Sequence, residues 1–128
     1  MFEKLLANTL YVQIRPNAFR LRQIEARKER EVLAQNPFTT TRLLVGQFGE
    51  AQSLLRTAVQ EIDRGGFLKI RPVMVMHPLE MVDGGLSEIE ERIYHELAIG
   101  AGARSAFVYV GSPLTDADVM AVSEGMSK

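Results

Sequence analysis

Apolar and polar positions alternate along residues 9–15. Leu10, Val12 and Ile14 fall on one side, with Tyr11, Gln13 and Arg15 on the other, which predicts a half-buried strand. Pro16-Asn17 is a turn pair. Beyond it, Phe19, Leu21 and Gln23 alternate with Arg20, Arg22 and Ile24, a second strand returning as a hairpin. Glu25 to Glu31 is charged and reads as a strand end or an exposed loop. Val32-Leu33-Ala34 and Arg42-Leu43-Leu44-Val45-Gly46 flank the turn-rich QNPFTTT, and one or both of them extend the sheet.

From Glu50 the period lengthens. Ala51, Leu54, Leu55, Ala58, Val59 and Ile62 recur at helical spacing, and Asp63-Arg64-Gly65-Gly66 stops the run. KIRPVMVM (69–76) is a short apolar strand whose Pro72 calls for an edge position or a start beyond the proline. After Gly84-Gly85, Ser87 and Glu90 form a capping box that opens a helix with Ile89, Ile93, Leu97 and Ala98 on one side. That helix ends at Gly100 or Gly102. Ala106–Val110 is a further strand, and Thr115 or Asp116 caps a last helix over 116–123.

The reading is an α/β fold, a mixed five-stranded sheet in the order βββαβαβα with helices packed on it. Residues 1–128 form one domain. FEKLL (2–6) makes a short N-terminal helical turn, and 124–128 are a frayed tail. No repeat or low-complexity segment interrupts this pattern.

Composition changes the picture little, except by exclusion. Apolar residues make up 46% and charged residues 24%, ordinary values for a globular chain. There is no cysteine, so disulfides and thiolate metal sites are excluded. No apolar run is long enough to span a bilayer, and Glu3 and Lys4 break up any secretory pattern, so a cytoplasmic location is expected. Phe2, Leu5 and Leu6 give the first turn an apolar side whose membrane affinity would be weak; contact with the domain itself is the plainer reading. Charge is uneven. Residues 1–64 hold 10 Lys/Arg against 7 Asp/Glu, and residues 65–128 hold 5 against 9. The basic excess around Arg15, Arg20, Arg22, Arg27, Lys28 and Arg30 is diluted by Glu25, Glu29 and Glu31, unlike the unbroken footprint of a nucleic-acid binder.

Candidate chemistry is sparse. His77 and His95, the two histidines, lie on different elements without metal-ligand spacing, and His95 stands four residues after Glu91 on a helix surface. Glu88, Glu90, Glu91 and Glu96 read as a solvated helix face. Glu80 and Asp83 are two loop carboxylates without a third ligand in view. Gly46-Gln47-Phe48-Gly49 joins a strand to a helix but lacks a phosphate-loop Lys-Ser/Thr, and Gly100-Ala101-Gly102-Ala103 follows a helix and is a C-cap. No nucleophile–base pair can be argued from spacing, so neither a catalytic residue nor a cofactor is assigned.

Three segments, ANTLYV (7–12), LLVGQFGEAQSLL (43–55) and SEIEERIYHELAIGAGARSAFVYVGSP (87–113), resemble in order the N-terminal half of the MreB family of bacterial actin homologues. They cover about half the chain. The helix, GAGA turn and strand of the third segment are its most specific part. The resemblance implies an RNase H-like, actin-like subdomain and a place in a cell-shape or filament system. It also carries departures. Where the family has Asp-x-Gly-Thr ahead of Ala-Asn-Thr-Leu, this sequence has Glu3-Lys4-Leu5-Leu6, so the metal-handling and phosphate-approaching residues are gone. The second phosphate loop and the adenosine pocket belong to a half beyond the end of this sequence. Glu90 matches the glutamate that positions the attacking water in the family, and here it reads as the capping partner of Ser87.

The expectation is a degenerate, non-enzymatic actin-like domain that binds another protein or a second copy of itself. Arg20, Arg22, Met74 and Met76 are its candidate interaction surface, with no nucleic acid, nucleotide or metal ligand expected. The alternatives are a nucleic-acid binder using the Arg-rich hairpin and a small metal-dependent RNase H-like enzyme. The enzyme needs a carboxylate on the first strand, and residues 9–15 have none.

Overall fold

A computed structural model describes residues 7–63 and 70–125. Eight elements follow one another: β1 (Thr9–Arg15), β2 (Ala18–Gln23), β3 (Lys28–Leu33), α1 (Phe48–Ile62), β4 (Val73–Pro78), α2 (Glu88–Gly100), β5 (Ser105–Val108) and α3 (Asp116–Ser123). The strands form a single mixed five-stranded sheet in the order β3-β2-β1-β4-β5. β1, β2 and β3 are an antiparallel meander, while β4 and β5 run parallel to β1. The fold class read from the pattern is the observed one. The expected turn at FEKLL and residues 126–128 of the tail lie outside the described residues, as do Gly65 and Gly66.

The sheet is covered unequally. Leu10, Val12 and Ile14 of β1, Phe19 and Leu21 of β2, and Met74 and Met76 of β4 form the main core with Ala51, Leu55, Ala58, Val59 and Ile62 of α1 and Tyr94, Leu97 and Ala98 of α2. The opposite face carries a smaller cluster of Tyr11, Ile24, Val75, Leu114, Val119 and Val122, where α3 packs on β1, β4 and β5. β4 is therefore buried at all six positions. A strand covered on both faces reads as continuous rather than alternating apolar sequence, and Val73-Met74-Val75-Met76 is such a run. It begins just after Pro72, and it is an inner strand, not an edge.

Two sequence readings change. Lys28–Glu31, read as a strand end or loop, pairs with β2 from Lys28 onward as most of β3. All four of these residues are exposed, so no apolar alternation betrays this edge strand. Arg42–Gly46 is not a strand. It belongs to an irregular loop whose apolar residues plug the main core: Phe38 is fully buried against Phe19, with ring centroids 5.0 Å apart. Asn17 organises this loop. Its φ of 57° places it in the left-handed region, which Asn tolerates better than most residues. Its Oδ1 accepts from Phe38 N at 2.8 Å and Thr39 N at 2.9 Å, and its own N–H donates to Thr39 Oγ1 at 2.9 Å. The loop closes where the Gly46 and Gln47 amides both donate to Phe38 O. A Cβ at Gly46 would meet Thr40 Cγ2 at 2.3 Å, so this approach requires glycine.

Helix ends follow the local chemistry. Ser87 and Glu90 form the expected reciprocal capping box on α2, with Ser87 N donating to Glu90 Oε1 at 3.0 Å and Glu90 N to Ser87 Oγ at 3.2 Å. Thr115 caps α3 in the same way with Asp118. Within α2, Tyr94 is buried and Ile89 is 74% exposed, so the apolar stripe is rotated from the one read at Ile89, Ile93, Leu97 and Ala98.

Candidate interaction surface

Thr9 N and Oγ1 donate to the two carboxylate oxygens of Glu25 at 2.8 and 2.7 Å, and Asn8 Nδ2 donates to Ile70 O at 2.8 Å. Gln23 links the two, donating to Asn8 Oδ1 at 3.1 Å and Glu25 Oε1 at 3.0 Å. These polar atoms hold the start of β1 to the β2–β3 turn and to the approach of β4. They are satisfied inside the fold.

A second buried network lies on the α3 side. Tyr11 Oη is 2.6 Å from His77 Nδ1, and His77 Nε2 is 2.9 Å from Gly111 O. A carbonyl can only accept, so Nε2 carries the proton and Nδ1 takes the phenol hydrogen of Tyr11. The phenol oxygen accepts in turn from Leu114 N at 3.1 Å and Gln13 Nε2 at 3.3 Å. Tyr109 packs edge-on against His77 at 4.8 Å and donates to Ser112 O at 2.9 Å. Arg22 lies over the Tyr11 ring at 5.0 Å and donates to Leu114 O at 2.9 Å. Its Nε sits 2.7 Å from Asp116 Oδ1, an ion pair out of line for a hydrogen bond. Three strands thus clamp the segment that leads from β5 into α3. Gly111 is needed in it: φ is 151°, and a Cβ would meet Tyr109 Oη at 2.6 Å.

Burial raises the Tyr11 phenol above its ordinary range, against the lowering effects of the Leu114 amide, Gln13 and Arg22. Burial also holds the His77 imidazole below its ordinary range, partly offset by the Gly111 carbonyl. Tyr11 and Tyr109 face the ring directly, and the charges of Arg22 and Asp116 lie beyond Tyr11. Because the folded state prefers neutral His77, the unfolded chain takes up the proton first as pH falls. The contribution is complete above about pH 6.5. It is lost below that, at no more than about 1.4 kcal/mol per pH unit, until the folded imidazole also titrates. Asp63, whose carboxyl is raised by burial against the pull of Asn8 and Lys28, acts in the opposite sense and closer to the carboxylate range. Urea unfolding between about pH 7.5 and 5.5 should show a steeper loss in the wild type than in His77→Gln. Equal slopes would remove His77 from the account.

The structure separates the four residues read as an interaction surface. Met74 and Met76 are fully buried in the main core, so they do not form a surface. Their side of β4 faces the main core because the register Leu10–Met74 and Val12–Met76 continues the apolar face of β1. Arg22 is half-buried and engaged by Tyr11, Leu114 and Asp116. Arg20 is exposed and pairs with Glu29 at 2.6 Å. Around it, on the outer face of β1–β2–β3, Arg15 pairs with Glu31, and Leu33 is 70% exposed. Each cation of this face has a carboxylate partner, unlike a basic stripe kept open for phosphates.

Glu90 caps α2 and lines, with Leu43, Leu44, Val45, Ile93 and Tyr94, a cavity of about 10 Å³, the room of one water molecule. Burial and the Glu90 carboxylate push the Tyr94 phenol up to about 12. Gly46–Gly49 leads into α1, and Gly100–Ala103 closes α2, where the Ala101, Gly102 and Ala103 amides return to its last carbonyls. Among the described residues, no group of three or more His, Asp and Glu is placed to hold a metal ion, and no helix is long and apolar enough to cross a membrane.

No family model matches the chain. Over 124 residues it is 36% identical to the Escherichia coli (strain K12) protein described as "Uncharacterized protein YjaA", a match covering 90% of this chain and 96% of that protein. The chain belongs to the YjaA family. The clamp and the open sheet face described above are thus features of a YjaA-family chain matched nearly end to end. Sequence reasoning missed the clamp. The available signal was β4 itself, whose unbroken apolar run requires cover on both faces and so places His77 and Tyr11 in an interior.

Proposed function

We propose that this YjaA-family chain is a non-enzymatic, degenerate actin-like domain, similar to one RNase H-like half of MreB, that works by binding protein in the cytoplasm of a bacterial cell. The reading rests on the outer face of β1–β2–β3, where Arg15, Arg20, Glu29, Glu31 and Leu33 stand exposed while α3 packs on β1, β4 and β5. A rigid sheet face of paired charges with an exposed apolar residue at its rim suits a protein surface of mixed charge. The element order supports the actin-like part. The internal use of Asn8 and Thr9 supports the degenerate part, since the residues that follow a phosphate loop in the resemblance are bonded within the fold here. With Arg15, Arg20 and Arg22 each facing a carboxylate, nucleic acid is not the expected partner. The cell-shape or filament setting comes from the resemblance.

Two measurements test this. The melting temperature should be unchanged by Mg-ATP. A ligand at 100 times its Kd adds about 2.7 kcal/mol, which a domain of this size shows as several degrees. A Mg-dependent rise would overturn the degenerate reading. A photo-crosslinking amino acid at position 20 should give a specific protein adduct in cells that position 53, exposed on α1, does not give. Equal labelling at both positions, or none at 20, would overturn the interaction surface.

A further inference from the structure

The two edges of the sheet carry opposite designs. On β3, Glu29 and Glu31 lie on the α3 side, across from Arg22 and Arg20, and Lys28 and Arg30 on the other, where Arg30 pairs with Glu61 of α1. Successive side chains of a strand alternate between faces. A second β3 paired antiparallel about a two-fold axis centred on Glu29 or Arg30 would therefore set acid against acid on one face and base against base on the other. Like charges directly opposite are destabilising, and charged edges are a common guard against self-pairing.

β5 has no such guard. Residues 105–110, Ser-Ala-Phe-Val-Tyr-Val, contain no charge and no proline, and β5 is hydrogen-bonded to β4 on one side. Residues 105–109 are half-exposed, and Val110 is 40% exposed. The Tyr109 amide turns inward to Met76 O at 2.8 Å. Alternation along the strand then turns the amides of Val108 and Ala106 outward.

We propose that β5 is a self-pairing edge through which two copies of this chain join antiparallel, fusing their sheets into one. Centred on Phe107, the pairing sets Phe107 opposite Phe107, Ala106 opposite Val108 and Ser105 opposite Tyr109 of the second copy; beyond the ladder, Arg104, whose amide turns in to Pro72 O at 2.8 Å, comes beside Val110. The outward Ala106 and Val108 then form the hydrogen-bonded pair. Ala106 meets Val108, Ser105 meets Tyr109, and no charge meets its like. A second copy is the occupant because this pairing brings no like charges together, whereas β3 centred on Glu29 or Arg30 opposes like charges on both faces. The proposal names one partner of the interaction module and rests on that reading.

The test is sedimentation of the full chain across a wide concentration range, with charge variants at the exposed Val110. Val110→Glu faces Arg104 of the second copy twice and should tighten the dimer about tenfold; Val110→Lys should weaken it about tenfold. Arg104→Glu combined with Val110→Lys should restore what Val110→Lys loses. Melting temperatures near that of the wild type verify that each variant folds. A chain that stays monomeric at every concentration overturns the pairing. So does a dimer indifferent to the charge at 110. In either case an adduct at position 20 would leave the broader interaction reading standing, and loss of both would remove it.

Discussion

Phe38→Ala should lower the unfolding free energy by about 3–5 kcal/mol, the cost of emptying a large aromatic site. Phe38 is the one aromatic of the 34–47 loop, and it is fully buried. Its ring stacks on Phe19 with an interplanar angle of 18°, and its carbonyl collects the Gly46 and Gln47 amides while its own amide is held by Asn17. The side chain thus joins a loop without regular structure to the main core. Urea unfolding with an unchanged m-value would give the cost directly. Phe38→Leu, which keeps most of the volume, should cost much less. A Phe38→Ala cost of about 1 kcal/mol or less, the size of an ordinary surface or tolerant-site change, would mean the loop does not plug the core.

Tyr11→Phe should cost about 2–6 kcal/mol, because the lost hydroxyl strands two buried groups, the Leu114 amide and His77 Nδ1, each worth about 1–3 kcal/mol unpaired. Shape and apolar area barely change, so packing contributes little. The Leu114 amide should also lose much of its protection from hydrogen exchange, since its acceptor is gone. Tyr109→Phe is the internal contrast. Its hydroxyl donates to Ser112 O in an exposed loop, and its loss should cost about 1 kcal/mol or less. If the two variants were equally stable and Leu114 remained protected, the clamp on the β5–α3 segment would not be a stabilising device.

Much of the fold was legible because its periods are strong. The alternation at Leu10-Val12-Ile14, the helical spacing from Ala51 to Ile62, and the capping pair Ser87–Glu90 are local signals, and the structure places a strand, a helix and a cap at those positions; of the two caps read for the last helix, Thr115 and Asp116, it is Thr115 that caps. β3 was harder. Its Lys-Glu-Arg-Glu run satisfies its backbone against β2, while both sets of side chains face solvent or a salt-bridge partner, so hydropathy carries no strand signal. Arg42–Gly46 failed in the opposite way. An apolar run signals burial, but only the Asn17 hub and the Phe38 plug determine that it is buried as a loop.

The site was less legible than the fold. Arg20 is where its alternation with Leu21 put it, on the open face. Met74 and Met76 were misplaced because methionine serves core and surface alike, and the facing of β4 depends on its register with β1. The meaning of His77 depended on residues far away in the chain, Tyr11 and Gly111, which no spacing rule links. By itself, the sequence determined the mixed βββαβαβα sheet, the capping box of its second helix and the lack of a carboxylate on its first strand, because each is written in neighbours a few residues apart. Only the tertiary structure decided which edge is guarded by charge and which is bare, that Asn8 and Thr9 are bonded inside the fold, and that a neutral histidine clamps the way into the last helix. Those properties arise from strand order and register, which bring together residues up to about a hundred positions apart, as Leu114 and Tyr11 are.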